Sequence, residues 1–396
     1  MYNFSPNALM CSVQKCIDTY NADLKRFNEV FREAFKQRTK GVKSGELYKH
    51  LYNADLKRFN EVFREAFKQR TKGVKSGELY KHLNDKEITT DKTKIAWVQN
   101  LKTQLVKGKK LDDFSQEKIS VSLYRPFNKQ YFYDERELSW SFYSMKKFFP
   151  DKSACNVVIN TTIRNFSVLI GDAISDCHFI GDTQAYPLYY YDELGNCHCA
   201  ISGYALNLFR RHYGDASITE EEIFYYIYAV FHHKGYLEKY KNSLTKEDPR
   251  IALSPDFKEL SILGKELAKL HLNYESGEMH ASVEYKTLMN AEEKGYYDVE
   301  KMKKEMNKGE CRIVYNKNIA ITKIPKKAFE YVVNGKSAID WVIECYQKTT
   351  DKDNLIENNP NDYAGGQYVF ELLCRVITLS VKSVDLIEKI SEKRFE

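Results

Sequence analysis

Gly335-Lys336-Ser337 ends like a phosphate-binding loop, whose backbone amides and lysine would cradle a nucleotide. That loop needs a second glycine five positions upstream, where this chain has Glu330. Asn359-Pro360-Asn361 has the start of the Asn-Pro-Pro-aromatic motif that grips the amino group of a flipped adenine, but Asn361 and Asp362 replace its last two residues. Pro255-Asp256 with Glu284-Tyr285-Lys286 outlines a magnesium nuclease, yet Asp256 precedes a helix instead of ending a strand. Cys197-His198-Cys199 is too tightly spaced for a zinc loop, has no second pair nearby, and reads as a strand edge. His232-His233 cannot share a ligand, because neighbours on a helix point about 100° apart, so one is expected packed and the other exposed. No Ser/His/Asp or Cys/His set can be assembled. The residues alone predict a chain with no catalytic, cofactor-binding or metal-binding side chains.

The elements that would position any site begin with a repeat. YNADLKRFNEVFREAFKQRTKGVKSGELYKHL occupies residues 20–51 and recurs letter for letter at 52–83. Two identical copies without a third argue against a stacked array, whose units diverge and number three or more. An in-frame duplication of one unit fits better. Leu24, Phe27, Phe31 and Phe35 fall on one helical face, and Gly41 and Gly45 end the pattern. Each unit is expected to be a helix followed by a basic loop. With one core slot for such a helix, one copy is expected to pack and the other to loop out. Ser5-Pro6 before Leu9, Val13, Ile17 and Tyr20 predicts an N-capped helix leading into the first copy.

After Asp91 the pattern changes. KIAWVQNLKTQLV predicts a short helix or strand with a basic turn at 107–110. ISVSLYRPFNKQYFYD, NVVINTT, FSVLIGD and AYPLYYYDELGNCHCAIS predict a β-rich region with turns at Pro126 and near Glu193. Thr219-Glu220-Glu221-Glu222 is a capping box, opening one buried helix through IFYYIYAVFHHKGYLEKYKNSL. FKELSILGKELAKLHLNY, SAIDWVIECYQ and QYVFELLCRVITLSVKSVDLIEKI predict further helices, and CRIVYNKNIAITKI predicts strands. Strands and helices mix without βαβ order, so the fold class is α+β: a helical segment, residues 1–92, then a mixed β-rich domain with long helices, residues 93–396.

The 61 basic and 55 acidic residues leave a formal charge of +6. Each repeat carries eight basic and four acidic residues, so a single-copy chain would stand at +2. The basic balance is weak evidence for a nucleic-acid partner. No apolar run is long enough to span a membrane, and the N-terminus lacks a signal-peptide core. Nine scattered cysteines suit reduced thiols in a cytoplasm.

SLYRPFNKQYFYD, QAYPLYYYDE, ITEEEIFYYIYAVFHHKGYLEKYKNSLTKEDPRIALSPDF with GKELAKLHL, and ITKIPKKAFEYVVNGKSAIDWVIECYQ, in this order and spacing, resemble the C-terminal specificity region of Type ISP restriction–modification enzymes. The likeness covers residues 92–396 and, more loosely, YNFSPNAL at the start. It implies a target-recognition domain on double-stranded DNA, partnered by a methyltransferase/translocase polypeptide. It also implies that S-adenosylmethionine, ATP and magnesium serve only the full-length enzyme, so no catalysis is expected here. The duplication departs from the family pattern, and the alternatives are a fragment of an adenine-specific methyltransferase or restriction enzyme and a remnant of a disrupted gene. Within this resemblance the DNA-contacting residues are expected in β-region loops: Arg125, Lys129, Lys146, Lys147, Arg164 and Asn165. Arg125 could equally anchor the turn at Pro126, and Lys146-Lys147 could be a solvated face.

Overall fold

Ser5 starts the first helix as the sequence predicts. Its side chain accepts the Ala8 amide at 3.3 Å, and Pro6 takes the first helical position. The computed structural model describes residues 2–38, 88–106, 108–138, 144–162, 165–285, 294–307 and 310–394. The second repeat, the end of the first, Lys107, Arg164 and Lys286 lie outside the described residues.

β1 (Tyr2–Asn3) leads into α1 (Pro6–Arg38), which carries the start of the first repeat. α2 (Gln99–Val106) packs on α1, so the stretch open to helix or strand is helix. β2 (Ile119–Arg125) and β3 (Asn128–Tyr133) form a hairpin that β1 extends, in the order β1-β3-β2. β4 (Val158–Thr162), β5 (Val168–Gly171) and β6 (Thr183–Pro187) form a second antiparallel sheet, ordered β5-β4-β6. β7 (Tyr189–Tyr191) and β8 (Cys197–Cys199) make a hairpin.

Four helices follow: α3 (Gly203–Tyr213), α4 (Glu220–His232), α5 (Lys234–Tyr240) and α6 (Phe257–Leu272). β9 (Val283–Tyr285), β10 (Lys303–Asn307), β11 (Glu310–Val314) and β12 (Ile319–Ile324) form an antiparallel sheet in the order β10-β11-β12-β9. β13 (Val332–Val333) and β14 (Lys336–Ser337) turn into α7 (Ala338–Cys345). A small pair, β15 (Thr349–Thr350) with β16 (Glu357–Asn358), precedes the long α8 (Tyr368–Ser391). All named strand pairs are antiparallel, the α+β arrangement expected.

Three large apolar cores organise these elements. One lies between α8, α7, the β11–β12 strands and the β2–β3 turn. The second gathers α4, α6 and the β4–β5 sheet around Phe209, Tyr226 and Phe257. The third is the α1–α2 layer over Tyr133 of β3. Ile387 of α8 packs against both of the first two. α4 and α6 cross at Gly264, where a Cβ would sit 2.0 Å from the Tyr225 carbonyl oxygen. Only a residue without a side chain allows this approach.

The long helix expected after the capping box is two helices. His233 adopts extended backbone (ψ 119°), ends α4, and accepts the Tyr236 amide on Nδ1 at 3.2 Å as the cap of α5. Its Nε2 donates to the Lys393 carbonyl at 3.0 Å. This bend also corrects the expectation of one packed and one exposed histidine: both are buried. α3, which the sequence reading leaves unassigned, is capped by Ser202 and closed by Gly214 in the left-handed region.

Candidate nucleic-acid interface

The five candidate residues among the described ones fall into three environments. Arg125 ends β2, beside the two-residue turn Pro126-Phe127 that returns the chain into β3. Its guanidinium lies 4.0 Å from the Tyr124 ring centroid and pairs with Asp176 at 2.8 Å. Asp176 belongs to a segment that runs along β2, donating its amide to the Leu123 carbonyl. Arg125 therefore staples two backbone segments together. Lys129, in β3, pairs with Glu275, which also accepts the Tyr368 hydroxyl of α8 at 2.5 Å. The Lys129 side chain is 16% exposed, so it fixes the hairpin to the core.

Lys146 and Lys147 project from a single 3₁₀ turn, Ser144–Lys147. The turn is held by Met145 and Phe149, both buried against Phe132, Val158 and Ile174. Lys146 pairs with Asp134 but remains half exposed, and such surface pairs are worth only about 0–1 kcal/mol. Lys147 is exposed and makes no ion pair among the described residues. Lys146 also lines an open groove of about 1040 Å³. Its walls are β2, the 149–154 segment and the 172–174 segment, and its lining includes Lys118, Lys152, Asp134, Asp151 and Asp172. Asn165 is exposed in the β4–β5 turn, where the Thr162 hydroxyl donates to its carbonyl at 2.7 Å. Arg164 lies outside the described residues. Lys146 and Lys147 thus share one turn, Arg125 and Lys129 share one hairpin, and Asn165 stands on a different sheet.

The catalytic outlines dissolve into local structure. Asn334 and Gly335, at φ 46° and 77°, make the β13–β14 turn, and Ser337 caps α7 by accepting the Asp340 amide. Asn361 bonds the backbone of Val299 through both ends of its amide. Asp256 accepts the Arg394 amide at 2.8 Å, and this arginine holds its carboxyl down at about 2. Glu284 pairs with Arg312 at 3.1 Å. His198 lies 2.9 Å from Asp192, whose carboxylate also organises the β7–β8 turn. Among the described residues no group of three or more His, Cys, Asp and Glu side chains is placed to hold a metal ion, and no helix is long and apolar enough to cross a membrane.

A feature the sequence did not disclose is a set of exposed apolar side chains on the β7–β8 hairpin and on α3. Tyr190 stacks on His198 across the hairpin with ring centroids 5.3 Å apart, Leu194 stands at its tip, and Tyr204 and Leu208 follow one face of α3. The period of α3 marks Leu206 and Phe209 as its buried stripe, but nothing local says that Tyr204 and Leu208 stay exposed.

The family model of the Type ISP C-terminal specificity domain matches residues 1–372. Solved structures are similar to it, three enzymes among them. A nuclease-deletion mutant of the Type ISP restriction–modification enzyme LlaGI in complex with a DNA substrate mimic is 30% identical, covers the whole chain and superposes with a TM-score of 0.74. The ATP-dependent Type ISP enzyme LlaBIII bound to DNA is 29% identical over 86% of the chain, with a TM-score of 0.69. The DrdV–DNA complex is 27% identical over 86%, with a TM-score of 0.68. The chain spans 32%, 22% and 34% of those three proteins, respectively. No curated protein matches it. With the family model covering nearly all of its length and the same fold recurring in those enzymes, the chain belongs to the Type ISP C-terminal specificity domain family.

Proposed function

We propose that this chain reads a sequence in double-stranded DNA for a Type ISP-like restriction–modification system in the cytoplasm. The supporting observation is the match of the whole chain to part of an enzyme solved with a DNA substrate mimic. In this reading residues 1–92 connect to a methyltransferase/translocase polypeptide and residues 93–396 recognise the target. Catalysis, S-adenosylmethionine, ATP and magnesium belong to that other polypeptide. Lys146, Lys147 and Arg164 grip phosphates, and Asn165 reaches a base edge or the backbone. Arg125 and Lys129 act one step back, by holding the β2–β3 hairpin in shape.

The test is fluorescence anisotropy on duplex DNA, with the chain alone and with a family methyltransferase/translocase polypeptide added. Binding should weaken linearly on a log–log plot against salt. Lys146→Glu with Lys147→Glu should lower affinity at least about tenfold and flatten the salt slope by about one per lost phosphate contact. Arg125→Ala should instead lower the melting temperature. No duplex binding at low salt with the partner present would overturn the reading. Methyl transfer from S-adenosylmethionine by the chain alone would overturn the division of labour.

A further inference from the structure

The slot that seats the start of the first repeat reads it residue by residue. The Tyr20 ring lies 5.9 Å from Trp97, and its hydroxyl donates to the Lys109 carbonyl at 2.8 Å. The Asn21 amide donates to the Leu111 carbonyl at 3.2 Å and accepts the Leu111 N–H at 3.1 Å. Asp23 is 1% exposed and accepts both the amide and the hydroxyl of Thr89, at 2.6 and 2.8 Å. Arg26 pairs with the same carboxylate, and Leu24 is buried in the α1–α2 core. Thr89, Trp97, Lys109 and Leu111 all lie outside both repeats. The string that satisfies them, Tyr-Asn-Ala-Asp-Leu-Lys-Arg, recurs unchanged at residues 52–58. The chain carries the key twice and the lock once.

We propose that this slot is a docking site for either copy: the first repeat fills it by default, and residues 52–58 of the same chain take it when the first is impaired. The default follows from α1. Tyr20 continues an unbroken helix from Pro6, so seating the first copy keeps the backbone hydrogen bonds across Thr19 and Tyr20. Seating the second copy breaks the helix there, leaves amides without helical partners, and excludes 32 residues as a loop. Loop length does not forbid the exchange, since closure cost grows only with the logarithm of length. A tethered copy competes at an effective concentration on the order of millimolar. Occupancy by the same string from another molecule is the rival outcome. The inference is independent of the DNA-reading proposal.

The experiment is a double-mutant cycle on the full chain: Asp23→Ala, Asp55→Ala and both together, followed by thermal melting. Independent, distant sites should add. Exchange predicts that Asp55→Ala changes nothing, Asp23→Ala lowers the midpoint slightly, and the double variant loses far more than the sum, up to failure to fold. Asp23→Ala equal to the double, or strict additivity, overturns the proposal. Leu24→Asp with Leu56→Asp repeats the cycle on the apolar contact. If neither double variant shifts the midpoint, the slot does not read these residues and the proposal falls. Rescue of Asp23→Ala that depends on protein concentration, with dimers by light scattering, overturns docking within one chain in favour of exchange between chains.

Discussion

Tyr228 stands in a run of buried hydrogen bonds in which each proton has one place. The Ile170 amide donates to its hydroxyl at 3.3 Å, and that hydroxyl donates to His271 Nδ1 at 2.6 Å. His271 Nε2 donates to Ser383 at 3.0 Å, and Ser383 donates to the Leu379 carbonyl. Only a neutral His271 fits. His232 donates from Nδ1 to the Tyr228 carbonyl at 2.8 Å, and its Nε2 has no partner among the described residues. Burial lowers His232 to about 4 and holds His271 well below its ordinary value. The unfolded chain therefore binds protons that the folded chain refuses. Stability is fully present above about pH 6.5 and falls as pH drops toward 4, as unfolding lets His232 and His271 take up protons. Urea midpoints between pH 7 and 4.5 should show this slope, and His232→Phe should flatten it. The sequence showed neither partner. It also could not show that Arg125 meets Asp176, 51 positions on, or that Lys129 meets Glu275, 146 positions on. Long-range pairs of this kind separate a cation tied into the fold from one left at the surface, which is why the six candidates looked equivalent.

Elements whose signals are local were legible. Thr219 and Glu222 form the full capping box, each satisfying a backbone amide of the other. Thr219→Ala should cost about 1 kcal/mol, read as a lower denaturant midpoint at constant slope. The β2–β3 hairpin was legible from Pro126. Its second turn residue was not, because Phe127 adopts φ 58°, a conformation unfavourable for an aromatic residue. Burial of its ring against Tyr274 and Tyr331, and a hydrogen bond from the Tyr346 hydroxyl to its carbonyl, hold it there. The break at His233 was hidden because Tyr236, Leu237 and Tyr240 resume the apolar pattern at helical spacing beyond it. What ends α4 is a ring nitrogen reaching forward and the Lys393 carbonyl, two residues beyond α8. Gly264 reads in sequence as a weak spot in a helix, and in the fold it is the contact point of α4 and α6. Gly264→Ala should therefore destabilise by about 1–3 kcal/mol, against the usual gain for glycine to alanine in a helix, as equilibrium unfolding would show.

At the scale of the molecule, α8 is one of the elements shared by two cores. Val369, Leu373 and Ile377 fill the first, Ile390 fills the second, and Ile387 touches both. The chain end is latched as well: Ser254 donates to the Arg394 carbonyl at 2.7 Å, and Asp256 pairs with the Arg394 side chain. The family match stops at residue 372, near the start of this helix. A chain cut there should lose cooperative melting altogether, whereas the intact chain should show one calorimetric transition across both cores. The α+β class and the helical start were readable from periodicity. The sharing of α8 was not, since its apolar residues spread over most of its circumference and name no particular neighbour. This shared helix also limits how specificity can be traded between relatives. A crossover placed between the β-rich half and the C-terminus would force one parent's helix into two cavities shaped by the other. Gene conversion should therefore be tolerated only in whole-domain cassettes whose seams lie outside β2 and α8.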